Sequence, residues 1–401
     1  MSTLLQVQPF KGLYLLFEAF ATTLVRVPLW ALIALRRSNR PKATWPIRRV
    51  LTLWWLHHRN KVYGRVGGVW RVPDYRALEQ QPHVKGLWIA PAPELVVGEV
   101  QEWAKITKVE CIRLPGYWLE KEGADISINA RPQLGEKVLY ALHGGGYVTC
   151  SAHPDDGTSN VARGILKHAG PHLVRAFQIE YRNSRPPTET PSNPFPAALI
   201  DAIAGYNYLV HEVGFSPEDI VVCGDSAGAN LALALVRYLV ENQNHADAKI
   251  PGPPSALILS SPWGDLGPEP EDKSSSVFAN VPTDFITMAG PGYVSQTHNF
   301  FGPLGPSAGV TNRYISPAST SPLMGTISFK GFPRTYISNG GSEILRDQIR
   351  ILRDKMETDM GSDVKYVEYP DAWHDFLAFP EHEPERSEAL HIMADWLKLG
   401  Y

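Results

Sequence analysis

The chain has 401 residues, 44% of them hydrophobic and 20% charged, with a net charge of −3. That apolar content fills a large core and excludes a disordered chain, and the absence of a basic surplus excludes a nucleic-acid binder. The three cysteines, Cys111, Cys150 and Cys223, form neither a Cys-x-x-Cys metal pair nor an even disulfide framework. With no Asn-x-Ser/Thr sequon present, they point to a reducing setting.

Residues 10–35 are largely apolar, interrupted by Lys11, Glu18, Arg26 and Pro28. Arg36, Arg37, Arg40, Lys42, Arg48 and Arg49 follow as a basic cluster. No basic stretch precedes the apolar run and no clean cleavage site follows it, so it makes a poor secretory leader. From Ala19 to Leu35 it offers about 17 residues for a membrane span, with Arg26 near the middle at a cost. The favoured reading is a pair of amphipathic helices forming a cap within an N-terminal unit, residues 1–70. Contact of residues 10–35 with a membrane surface, or a true anchor, are the alternatives. Were it to span, the trailing basic residues would keep the catalytic part on the cytoplasmic side. The expected location is therefore cytoplasmic or the cytoplasmic membrane face, not secreted.

Residues 71–401 read as one α/β domain. Segments 86–89, 108–114 and 125–128 suit strands of an antiparallel edge. The apolar strand 137–142 then ends at His143-Gly144-Gly145-Gly146-Tyr147. Glycines after a strand let backbone N–H groups approach a ligand without a Cβ in the way. A phosphate loop would carry a Lys-Ser/Thr here and does not. Gly144 and Gly145 are the expected donors to an oxyanion, and His143 orients the loop. Strand 173–181, a Pro-rich link and a helix over 196–212 follow.

The run Ile220-Val221-Val222-Cys223 leads into Gly224-Asp225-Ser226-Ala227-Gly228 and then a helix-forming stretch. Strand, tight turn and helix, with a serine at the apex between small residues, make a nucleophile elbow. Ser226 is the candidate nucleophile, Ala227 N–H a third oxyanion donor, and Asp225 a brace for the elbow. A serine hydroxyl needs a base, held in one tautomer by a carboxylate. Strand 256–261 comes next, and residues 264–313, with little periodicity, read as a second part of the cap. Strand 333–338 precedes two carboxylates, Glu343 and Asp347, of which Glu343 lies nearer the strand end and is preferred. Strand 364–369 precedes His374, the expected base. His245, His298, His382 and His391 fall in polar, inserted or helical settings that suit packing better. All these positions lie at carboxyl ends of strands, where open α/β sheets place their sites.

These motifs, with Tyr181-Arg182, Pro194-Phe195-Pro196, Ser261-Pro262-Trp263, Tyr314-Ile315-Ser316-Pro317 and His374-Asp375-Phe376, resemble the hormone-sensitive-lipase-like branch of the α/β-hydrolases over roughly residues 85–400. The link from Asn183 through Asn193 is longer than usual for that family, and Glu343 stands where it commonly has Asp. The apolar leader resembles that of fungal steryl acetyl hydrolases. The resemblance implies an α/β-hydrolase fold, a mostly parallel sheet flanked by helices with a largely helical cap. It also implies carboxylic-ester hydrolysis through Ser226, Glu343 and His374, with no metal and no organic cofactor. Small to medium apolar esters with acetyl or short acyl groups are the expected substrates. Amidase, lactonase or acyltransferase chemistry on the same triad, and a ligand-binding receptor without turnover, are the rivals.

Overall fold

The computed structural model describes residues 4–67, 74–79, 81, 83–128, 130–287 and 291–398. The expected domain boundary at residues 70–71 lies outside the described residues. Eight strands form one sheet: β1 (Lys85–Ile89), β2 (Leu114–Glu120), β3 (Lys137–Leu142), β4 (Leu173–Ile179), β5 (Ile220–Asp225), β6 (Ala256–Ser260), β7 (Arg334–Gly340) and β8 (Val364–Tyr369), in the order β1-β2-β4-β3-β5-β6-β7-β8. β1 pairs antiparallel with β2, and β2 with β4; every other pairing is parallel.

The helices are α1 (Phe10–Ala21), α2 (Val27–Leu35), α3 (Ile47–Arg65), α4 (Gly98–Thr107), α5 (Ser159–His168), α6 (Ala197–Asn207), α7 (Ala227–Asn242), α8 (Ser276–Ala279), α9 (Pro291–Phe301), α10 (Ala308–Thr311), α11 (Arg346–Met360) and α12 (Glu385–Lys398). The central strands are apolar on both faces, as parallel strands between helix layers must be. Alternation sorts their side chains. Val138, Tyr140, Val222 and Leu257 meet the core shared with α6, α7 and α11. Leu139, Val221, Ile258 and Tyr336 meet the core shared with α3, α5 and α12.

Two strand expectations are corrected. The second strand is 114–120, not 108–114: α4 ends at Lys108, which takes a left-handed conformation (φ 56°), and residues 109–113 are irregular. Pro115 and Gly116 look like strand breakers, but Pro115 sits at the start of β2, and a Cβ on Gly116 would come within 2.4 Å of Phe177. Segment 125–128 is no strand either. Its Ile126 N–H donates to Glu120 Oε1 at 2.8 Å, and its Ile126 carbonyl accepts from Lys85 Nζ.

The link after β4 is held by a buried ion pair. The Arg182 guanidinium donates to both Asp201 oxygens from Nε, and from Nη2 at 2.7 Å, while its N–H reaches Oδ2 at 2.8 Å. Asp201→Ala would leave that guanidinium buried without a counter-charge. The expected cost is about 3–5 kcal/mol, read as a lower urea midpoint at unchanged m-value.

Candidate active site

β5 delivers Ser226 into a strained backbone, φ 53° and ψ −117°, directly before α7. The turn is tight because small residues flank it. A Cβ on Gly224 would lie 2.3 Å from Gly228 O, and one on Gly228 would lie 2.0 Å from Leu142 O. Strain of this kind persists only where the surroundings over-determine it. Here Ser226 N–H donates to Ser260 O at 2.9 Å, and Ser226 O accepts from the N–H groups of Asn230 and Trp263.

β8 delivers His374. Its Nε2 lies 2.9 Å from Ser226 Oγ, across 148 residues of sequence. The loop after β7 is stitched to the histidine loop. Gly341 N–H donates to Tyr369 O, Ser342 N–H to Ala372 O, and Ser342 Oγ to Pro370 O. That stitching puts Glu343, fully buried, beside the ring, with Oε2 3.9 Å from His374 Nδ1. Oε2 accepts from Ser261 Oγ at 2.7 Å and Gly340 N–H at 3.1 Å. Asp347, the competing carboxylate, accepts the Ser276 N–H at 2.7 Å and pairs with Arg346, so it braces α8. None of the other four candidate histidines bonds Ser226. His382, for one, packs its ring 4.5 Å from Trp373, where burial pushes its pKa down to about 2.

Burial dominates the electrostatics. It pushes Glu343 up to about 8, with the neighbouring His374 acting in the opposite direction. It also pushes up Asp225 and Asp375, well above the carboxylate range.

The glycine loop after β3 departs from expectation at one amide. Gly144 N–H does not face the space above Ser226 as a free oxyanion donor; it donates to Asp225 Oδ2 at 3.0 Å. Asp225 therefore ties the elbow to the glycine loop. Gly145 and Gly146 N–H meet no protein acceptor among the described residues. Gly145 has φ +108°, and a Cβ there would lie 2.3 Å from Thr149 O. Ala227 N–H belongs to the first turn of α7, whose amides have no partner within the helix. His143 is buried beneath the loop. Its Nδ1 lies 2.7 Å from Gly144 O, and its ring stacks on Tyr181 at 4.1 Å.

His143 Nε2 stands 4.0 Å from Glu180 Oε1. Burial pushes Glu180 up to about 8 and His143 down to about 4. Both groups are thus neutral near pH 7 in the folded chain. Glu180 stabilises the fold fully below its ordinary value of 4.5, and that contribution is lost as pH rises to about 8. His143 acts the other way, losing its contribution as pH falls from 6.5 towards 4. Between pH 6.5 and 8 only Glu180 of this pair changes. Wild type is expected to lose on the order of 1 kcal/mol per pH unit there relative to Glu180→Gln. Urea unfolding of both proteins at pH 6.5 and 8 measures the difference.

Three residues at the site carried no readable signal, or one left unused. Asp284, fully buried, accepts the Ile344 and Phe285 N–H groups at 2.7 Å each and the His374 N–H at 3.4 Å. Burial raises it to about 6. It lies in the aperiodic insertion, where no motif marks it. Asp375, within the His-Asp-Phe motif, places Oδ2 3.1 Å from His374 Nε2, the nitrogen that also faces Ser226. Gly146, the third loop glycine, offers the amide that Gly144 does not.

A mostly parallel eight-stranded sheet, with a serine at a strand–helix elbow and a histidine after the last strand, defines an α/β-hydrolase. The chain belongs to the alpha/beta hydrolase fold family, whose model matches residues 139–378. It is similar to an acetyl-hydrolase of Streptomyces hygroscopicus, 30% identical over 271 residues, covering 66% of this chain and 76% of the relative. It is also similar to the esterase LipU of Mycobacterium tuberculosis, 28% identical over 263 residues, covering 65% and 77%. Among solved structures, an esterase from the bacterial hormone-sensitive lipase family superposes with a TM-score of 0.57 at 21% identity, covering 89% of this chain and 99% of the other.

Proposed function

We propose that this α/β-hydrolase cleaves carboxylic esters through an acyl-enzyme on Ser226. One observation carries the reading: the 2.9 Å approach of His374 Nε2 to the hydroxyl of an elbow serine. His374 takes the proton as Oγ attacks the ester carbonyl. The oxyanion is held by the N–H groups of Gly145, Gly146 and Ala227, fixed dipoles that need no reorganisation as charge develops. His374 then protonates the leaving alcohol, and water repeats the sequence to free the acid.

Glu343 is the carboxylate partner of the imidazole. Its 3.9 Å separation from Nδ1 closes to hydrogen-bond length when the ring becomes charged, as such contacts tighten in the reacting complex. Apolar esters with short acyl groups are the proposed substrates. The relatives named acetyl-hydrolase and esterase support this, as does the aromatic setting of the site. Phe285 lies 6.0 Å from the His374 ring, and Tyr147, beside the glycine loop, stacks on Phe300 at 4.1 Å.

A panel of nitrophenyl esters from acetyl to palmitoyl tests the reading, together with a fluorophosphonate probe and peptide mapping. Turnover falling sharply beyond short chains, with the probe on Ser226, is expected. No turnover of any ester, with Ser226 unlabelled, overturns it.

A further inference from the structure

Residues 10–35 form one continuous helical run of 26 residues, α1 and α2 joined by a π turn at Thr22–Arg26. At about 1.5 Å per residue it is about 39 Å long. Its polarity is inverted. A helix on a water-facing surface turns apolar side chains inward and polar ones outward. Here the stripe facing the protein is Tyr14, Glu18, Thr22, Arg26 and Trp30, spaced four apart. Arg26 donates to Glu18 at 2.7 Å and to Thr22 at 3.1 Å. Across the contact with α3, His58 Nε2 lies 3.1 Å from Glu18, Arg65 donates to Tyr14 Oη at 2.9 Å, and the Trp30 ring meets Trp54 at 6.4 Å.

The outer face is Phe10, Leu13, Phe17, Phe20 and Leu24, flanked by Leu16, Val25, Leu29, Leu32 and Leu35, all exposed. Thirteen of the nineteen exposed large apolar side chains among the described residues lie between Leu4 and Leu35. Water does not favour so concentrated an apolar surface. Polar groups sequestered inward with apolar groups outward is the arrangement hydrocarbon demands.

We propose that the Phe10–Leu35 helix lies in the surface of a lipid bilayer, its outer face among the acyl chains, and seats the hydrolase there. Two observations favour lipid over a second copy of the chain. The apolar face extends beyond the single seam that a paired helix covers. Exposed Arg36, Arg37 and Arg48 follow the helix, where anionic headgroups would meet them.

The helix lies along the membrane rather than crossing it, because its inner stripe is bonded to α3 and α3 is pinned to the catalytic body. Trp45, just before α3, donates from Nε1 to Asp371 O at 2.9 Å, and Arg49 donates to the same carbonyl at 3.0 Å. His57 Nε2 contacts Asp284 O at 2.6 Å, and Asn60 donates to Phe285 O at 3.0 Å. These are the segments beside His374, so α3 is a strut between bilayer and site.

Flotation tests the seat without using turnover, so its failure is separable from failure of the esterase reading. The full chain is mixed with phosphatidylcholine vesicles, with and without phosphatidylserine, and spun through a gradient. It is expected to rise with the vesicles, more completely with the anionic lipid. The variant Phe17→Glu/Phe20→Lys/Leu24→Glu is expected to stay at the bottom while hydrolysing nitrophenyl acetate at the wild-type rate. Wild type left at the bottom, present there as a dimer, or recovered from its host lacking residues 1–35 overturns the proposal. So does a triple variant that floats equally well. In Gln8→Cys and Ser38→Cys chains added to sealed vesicles, an impermeant maleimide should label each new cysteine, located by peptide mapping because Cys111 and Cys150 are also partly exposed. Protection of either end alone would mean a span and would overturn the surface placement.

Discussion

Ser226→Ala is expected to lower kcat on nitrophenyl acetate by about 10⁴–10⁶-fold. The hydroxyl is the only atom removed, and it is the atom 2.9 Å from the His374 base. What survives is the modest acceleration an oxyanion hole and a binding pocket give an attacking water. The fold should not suffer. Alanine occupies the same strained backbone, and the hydrogen bonds from Ser226 N–H and to Ser226 O belong to the main chain. Steady-state rates alongside thermal unfolding separate the two effects. Near wild-type turnover with the alanine in place would sink the assignment of the nucleophile.

Glu343→Gln is expected to cost about 10⁴-fold in kcat, the scale seen when the carboxylate of a serine triad becomes an amide. The physical reason is the lost charge. Oε2 faces His374 Nδ1 and also accepts from Ser261 Oγ and Gly340 N–H, so a glutamine would keep its oxygen there. That oxygen is uncharged and no longer stabilises the imidazolium that forms as His374 takes the Ser226 proton. An NH₂ in its place would force Nδ1 to accept and put the ring proton on Nε2, which then cannot take the proton of Ser226. Asp347→Asn, at a side chain committed to Ser276 and Arg346, should leave kcat unchanged.

The pH profile adds a second readout. The anion of Glu343 is the form that supports a charged imidazole, and burial pushes this carboxyl up to about 8. Wild-type kcat/KM should therefore climb with pH towards about 8, and Glu343→Gln should lack that limb. Equal losses in Glu343→Gln and Asp347→Asn would show that neither carboxylate acts on the histidine.

Much of the fold was legible because its rules are local. β3, β5 and β6 are unbroken apolar runs, and only strands covered on both faces read that way. Gly224 and Gly228 announce the elbow, since any larger residue would strike Gly228 O or Leu142 O. The errors fell where local rules compete. Residues 108–114 have strand composition, but α4 ends in a left-handed Lys108 and pairing begins only at Leu114. Segment 125–128 alternates like a strand but has no neighbour to pair with, and its backbone is bonded to Glu120 and Lys85 instead.

By itself the sequence determined the succession of strands from β3 to β8, the turn that lifts Ser226, and the loops that carry Glu343 and His374, because each follows from the sterics and polarity of a few adjacent residues. Only the tertiary structure decided which groups meet. It gave the Gly144 amide to Asp225, brought Asp284 of an unpatterned insertion to the His374 backbone, and turned the polar stripe of α1 inward against α3. Such contacts join residues tens to hundreds of positions apart. They depend on how whole layers pack, and no window of the chain records that.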